Sequence, residues 1–225
     1  MTTPWKPLWR ALAPLWAVAG LLGCWRAPTP EARGAWSVQW WTDFREPGPW
    51  LLDGGPGAIA TYTSAGYRLA GVMPAVPVQS LHPTAYAQVR LAAHVEADPS
   101  AASRGAYGLV CGYRDPQHQV VLALGSDGTF AAWEQTPAGK RPLHGASLDF
   151  VPHAAVHPAP QSNRMMVECR DTGLRLWVNG HLLLATDTPV PKGQVGMWLR
   201  TPPQGATSSW GVTYHDLTLW TWQRP

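Results

Sequence analysis

YGLVCGYRDPQHQVVLALGSDGTFAAWEQ, residues 107–135, reads as three β-strands in a meander. Leu109, Cys111 and Tyr113 alternate with Val110, Gly112 and Arg114, the period-2 pattern of a strand whose successive side chains face opposite ways. Residues 114–118 break the run, because Pro116 has no N–H to donate and fixes its own φ. Residues 120–124 are continuously apolar, as expected of a strand covered on both faces. Ser126-Asp127-Gly128 supplies a tight turn, and residues 130–133 begin the third strand.

Composition points the same way. With 23 Pro, 22 Gly and 14 Trp in 225 residues, the chain suits many short strands joined by turns rather than long helices. Only 14% of residues are charged, and the formal net charge is +3. Lys6 and Arg10 lie in the first 23 residues, and without them 15 basic and 14 acidic residues remain. That balance gives no electrostatic case for a nucleic-acid partner.

The first 23 residues read as a secretion signal, of lipoprotein type by its closing run Leu21-Leu22-Gly23-Cys24, with an ordinary secretory signal or an uncleaved anchor and an incidental Cys24 as the other readings. Lys6 and Arg10 sit in an acid-free start, and residues 11–22 form an apolar stretch shorter than the ~20 residues of a membrane span. The stretch ends in Leu21-Leu22-Gly23-Cys24, which resembles the bacterial lipobox. The resemblance implies that Cys24 is lipidated and becomes the mature N-terminus, placing the protein outside the cytoplasm on a membrane anchor. Residues 24–35, with Pro28, Pro30 and Gly34, read as a tether. Cys111 and Cys169 remain in the mature chain, an even pair and so a disulfide candidate outside the cytoplasm; two separately buried thiols are the other reading.

The domain itself spans residues 36–222. Residues 36–44 read as a first strand, and residues 58–62 and 67–72 as a hairpin. Residues 73–83 hold three prolines and read as an edge or loop. Residues 84–96 read as one long strand, with Ala87, Val89, Leu91, Ala93 and Val95 on one face. Later strands are expected at 165–170, 174–179, 193–200 and 210–222, the last paired with the first. Asn179-Gly180 is the strongest hairpin signal in the chain.

The ordered set carries a resemblance. It comprises Asp43-Phe44 with Trp50, the strand at 84–96, Tyr107-Gly108-Leu109, Tyr113-Arg114-Asp115, Asp127-Gly128 before Trp133, Asn163, Val178-Asn179-Gly180, Gly193-Gln194-Val195-Gly196 and Tyr214-His215-Asp216-Leu217. In order and spacing it resembles the concanavalin A-like (laminin G-like) jelly-roll domains of bacterial lipoproteins and extracytoplasmic sensors. The resemblance implies an all-β sandwich of two antiparallel sheets, often with a concave face that binds carbohydrate.

Some relatives of that fold are β-glucanases with carboxylates two apart on one strand, a spacing that puts acid and nucleophile on one face. Glu96 and Asp98 have that spacing, but Ser100 stands where a third would be and Pro99 ends the strand, so a solvated strand end is the reading and no catalytic residue is assigned. His153 and His157 sit in a proline-bounded connection without nearby Cys or carboxylate, and no Asp-rich calcium loop is present, so neither a metal nor a cofactor is expected. By parity, Arg90, Arg175, Trp177, Trp198 and Arg200 lie opposite the apolar sets of their strands and are expected to share one solvent-side face as a ligand groove. Against it stand two other readings: these residues cover the outer convex face, or the tryptophans fill a second small core beneath loops. Binding of a glycan or a cell-surface partner is thus the leading function, with a glycoside hydrolase or a purely structural module as rivals.

Overall fold

A computed structural model of the protein describes residues 34–99, 104–203 and 209–223. The signal segment, Cys24 and the tether up to residue 33 lie outside the described residues. Among the described residues sixteen strands follow one another: β1 (Ala35–Thr42), β2 (Leu51–Asp53), β3 (Ala58–Thr63), β4 (Gly66–Gly71), β5 (Pro77–Tyr86), β6 (Val89–Ala97), β7 (Ala106–Asp115), β8 (His118–Gly125), β9 (Thr129–Thr136), β10 (Gly139–Pro142), β11 (Val151–Pro152), β12 (Asn163–Arg170), β13 (Gly173–Val178), β14 (His181–Thr186), β15 (Gly193–Arg200) and β16 (Trp210–Gln223). All their pairings are antiparallel.

They form two sheets. Sheet I runs β14-β13-β12-β6-β16-β4-β3, with β1 added alongside β16; sheet II runs β10-β9-β8-β7-β15-β5-β2, with β11 added to β9. The meander β7-β8-β9 makes three adjacent strands of sheet II, and β16 pairs with β1 from Gln223↔Ala35 to Leu217↔Thr42. The core lies between the sheets. Leu91, Val95, Val167 and Leu176 from sheet I meet Leu109, Leu122, Leu124 and Met197 from sheet II, all completely buried. Each such side chain contributes roughly 1.5–3 kcal/mol by leaving water. A disulfide joins Cys111 on β7 to Cys169 on β12, with Cα atoms 6.7 Å apart. Its two strands are not neighbours in one sheet; they face one another across the core.

Three buried tyrosines also tie the sheets together. Tyr67 on β4 shares a 2.7 Å hydrogen bond with Ser80 on β5. Asn163 on β12 donates to the Tyr107 hydroxyl on β7 at 2.9 Å. The Tyr214 hydroxyl on β16 donates toward the carbonyls of Gly108 and Trp198, at 2.8 and 3.1 Å.

Bulges correct three local readings. Residues 84–96 are two strands: β5 ends at Tyr86 and β6 starts at Val89, and Gln88 turns the chain at φ +47°. Of the proline-rich stretch 73–83, residues 77–83 belong to β5, a strand inside sheet II, and residues 73–76 form the turn before it. Pro83 is tolerated because the β15 ladder skips from Gly196↔Leu81 to Gln194↔Ala85 there, so its missing N–H breaks no regular rung. On β7, Gly112 at φ +64° shifts the register and turns Tyr113 away from the core, to the opposite face from Leu109 and Cys111.

Candidate functional site

The outer face of sheet II carries a groove of about 680 Å³. Its strands alternate as expected, but their outward side chains are also largely apolar. Val110, Val121, Ala123, Ala131, Trp133 and Trp198 pack there into a second small core. Trp133 and Trp198 meet edge to face, ring centroids 5.3 Å apart and planes at 76°. They are 4% and 3% exposed, so they form the groove's floor rather than open stacking platforms.

Polar side chains stand around that floor. Gln79 on β5 donates through Nε2 to Oε1 of Gln119 on β8, at 2.9 Å. The Tyr113 hydroxyl on β7 donates to Asp53 on β2 at 2.9 Å. Each contact reaches across two intervening strands, β15 and β7 for the first and β15 and β5 for the second, so the outer face curls into a trough. Burial, and the hydrogen bond to the Asp53 carboxylate, push the Tyr113 phenol up to about 12. Gln135 on β9 completes the neutral part of the lining.

Three cations also line the groove. Lys140 on β10 is exposed at the rim and holds its Nζ 4.9 Å from the centroid of the Trp133 ring. Arg200, half-buried at the end of β15, stands 5.4 Å from the Phe150 ring, and Arg104 stands 6.0 Å from the same ring. Arg104 is ion-paired with Asp127. Burial, then repulsion from Arg104, lowers the Arg200 guanidinium below its ordinary value, but it stays protonated at neutral pH.

The five residues expected to share one groove divide between the two sheets. Trp198 and Arg200 belong to sheet II and line the groove; Arg90, Arg175 and Trp177 belong to sheet I, on the opposite side of the sandwich. Register explains what the two arginines do. Arg90 and Arg175 are the cross-strand partners of Glu168 on either side of β12. Glu168 is buried and accepts from Arg90 at 2.8 Å and from Arg175 at 3.3 Å. Arg90 also lies over the Trp36 ring at 4.6 Å. Trp177 is half-buried in a separate cleft of about 450 Å³ with Trp41, Met166 and Trp220.

Glu96 and Asp98 are likewise remote from the groove. Asp98 is bonded by Arg68 and by the Gly211 N–H, and Glu96 lies 3.5 Å from His215. Gln79, Gln119, Trp133, Gln135, Lys140 and Arg104 escape the parity argument on sequence alone. Gln119 precedes the apolar run 120–124 and Trp133 ends the apolar run 130–133; both faces of these strands pack, so alternation carries no signal there.

No family model matches the chain. No curated protein sequence matches it either. Solved structures do. The carbohydrate-binding module CBM66 from Bacillus subtilis superposes with a TM-score of 0.57 at 9% identity, over 74% of this chain and 91% of that one. A Bacillus subtilis protein with a galectin-like fold gives 0.59 at 13% identity, over 85% and 100%. The Bacillus licheniformis β-glucanase gives 0.56 at 12% identity, over 81% and 97%. At such identities the likeness speaks for the fold. With two antiparallel sheets, a core between them and these neighbours, the chain is a concanavalin A-like jelly-roll sandwich.

Proposed function

We propose that this is an extracytoplasmic lipoprotein, anchored through lipid on Cys24, whose jelly-roll domain binds glycan in the groove of sheet II. The observation that carries the reading is the groove itself: about 680 Å³, within the range of small-molecule sites, with an apolar floor and convergent amide and cationic donors. The carbohydrate-binding module and the β-glucanase among the structural neighbours support a saccharide as its occupant. The Cys111–Cys169 disulfide is in keeping with an oxidising compartment. Binding is favoured over hydrolysis because the described lining contains one carboxylate, Asp53, and it is engaged by Tyr113. Retaining hydrolysis needs two carboxyl groups about 5–5.5 Å apart.

The test uses the full-length protein from the membrane fraction. Mass spectrometry should find an acylated Cys24 at the mature N-terminus; a free Cys24 removes the anchor from the reading. Affinity electrophoresis against a panel of soluble neutral and acidic polysaccharides should show retardation by at least one. Gln135→Ala should weaken that retardation and Trp177→Ala should leave it intact. The reverse pattern would move the site to the cleft of sheet I, and no retardation by any polysaccharide would refute glycan binding.

A further inference from the structure

The groove's charge does not match the rest of the domain. Downstream of residue 23 the chain carries 15 basic and 14 acidic residues, close to balance. On sheet I four arginines have partners: Arg90, Arg170 and Arg175 gather around Glu168, and Arg68 holds Asp98. The groove of sheet II instead brings together Arg104, Lys140 and Arg200 against one carboxylate, Asp53. Arg104 has Asp127, but among the described residues no carboxylate lies within ion-pair distance of Lys140 or Arg200.

What holds these two cations is aromatic packing: the Trp133 ring beneath Lys140 and the Phe150 ring beside Arg200. Aromatic faces attract a cation without neutralising it. The field of Lys140 and Arg200 therefore stays open to the groove. Asp53 does not supply that anion. It sits on β2, at the opposite edge of sheet II from the β10 strand that carries Lys140, with an oxygen bound to Tyr113.

We propose that the groove selects an anionic saccharide unit, its carboxylate or sulfate held between Lys140 and Arg200 beside the Trp133–Trp198 floor. The proposal rests on the glycan-binding reading above and adds the substrate class. Arg200 can offer two parallel N–H donors to a carboxylate or sulfate, and Lys140 a mobile point charge. Gln79, Gln119 and Gln135 provide neutral amides for hydroxyls of the same or adjoining sugars. A second carboxylate would be repelled beside Asp53 at the β2 edge, so the anion belongs with Lys140 and Arg200 and the neutral sugar with the amides.

The experiment measures binding of the full-length protein in detergent to four polymers. Polygalacturonate and a sulfated galactan are the anionic saccharides. Carboxyl-reduced polygalacturonate keeps the sugar backbone without the charge, and polyglutamate keeps the charge without the sugar. At least one anionic saccharide should bind at least about tenfold more tightly than both controls, and its affinity should fall severalfold between about 20 and about 300 mM NaCl. Which of the two binds assigns the anion as carboxylate or sulfate. Arg200→Gln and Lys140→Met should each weaken that binding about tenfold or more. Lys192→Met, the same charge change at an exposed position outside the groove, should not. If Arg200→Gln proves unstable, Lys140→Met at the exposed rim gives the same reading. Equal binding of the charge-free polymer, equal binding of polyglutamate, or an unaffected Lys140→Met each overturns the proposal. Binding of neutral polymers alone sinks the anionic selectivity and leaves glycan binding standing; binding of no polysaccharide sinks both.

Discussion

Asn163 is fully buried, yet its side chain makes four hydrogen bonds. Its Nδ2 donates to the Tyr107 hydroxyl at 2.9 Å and to the His157 carbonyl at 2.8 Å. Its Oδ1 accepts from the His157 N–H at 2.9 Å and from Asn179 Nδ2 at 2.8 Å. One amide therefore joins β12 to β7 across the core, fixes the 157–162 connection and anchors the Asn179-Gly180 turn. A fully satisfied buried group contributes modestly, but its removal strands every partner in a dry site. Asn163→Ala should cost about 2–4 kcal/mol, read as a lower urea midpoint with the slope unchanged. Gln161→Ala, two residues away and exposed, should stay within about 0.5 kcal/mol. An Asn163→Ala protein of near wild-type stability would show that the amide is not the hub its geometry implies. The sequence displays Asn163 as one more polar residue before an apolar strand, because its three partner residues lie up to 56 positions away.

Strands are where alternation speaks most clearly. The β7-β8-β9 meander, the Asn179-Gly180 hairpin with both residues at positive φ, and the pairing of β16 with β1 are all legible in the chain. Failures come where a bulge changes parity. Val212 and Tyr214 face the core, then a register shift at His215 hands that role to Leu217 and Leu219. The Gly112 bulge likewise sends Tyr113 outward, and the turn at Gln88 divides what alternation alone reads as one strand. Parity does point both Cys111 and Cys169 inward, while their meeting depends on β7 and β12 crossing the core from different sheets. The bond between them spans 58 residues of chain. Chain entropy then gives it about 4 kcal/mol of stabilisation. A Cys111→Ala/Cys169→Ala double variant should lose roughly that amount, and a reductant should destabilise the wild type to the same level while leaving the variant unmoved. A variant that still responds to reductant would mean the destabilisation has another source.

Across the whole molecule, the division of strands between sheets decides what can form a site. Parity turns Trp177 and Trp198 outward from their own strands, but β13 lies between β12 and β14, whereas β15 lies between β7 and β5. Those neighbours are long-range choices that no local pattern encodes, so residues with the same signature end on opposite faces. The two-sheet architecture also sets a window of pH stability. Its inter-sheet tyrosines are buried, and burial raises the phenols of Tyr67 and Tyr214 above their ordinary 10.0 and that of Tyr107 to about 12. Unfolded tyrosines release their protons near pH 10 while the folded ones keep theirs, so stability is full below that point and falls as pH rises through it. Histidines bound the acid side. His82, stacked on Trp40 at 5.1 Å, and His94, beside His215 and Arg164, are both lowered from 6.5, by burial first. Below pH 6.5 the unfolded chain takes up protons that the folded chain resists, so stability falls with acidification. The unfolding temperature should therefore be flat from about pH 7 to about pH 9.5 and decline on both sides. Tyr214→Phe should lower the plateau by about 1 kcal/mol, the loss of one buried hydrogen-bonding hydroxyl, and make the alkaline decline shallower. His82→Gln should do the same on the acid side. An unfolding temperature that holds steady through pH 11 would show that the tyrosines between the sheets titrate as freely in the folded protein as in the unfolded one.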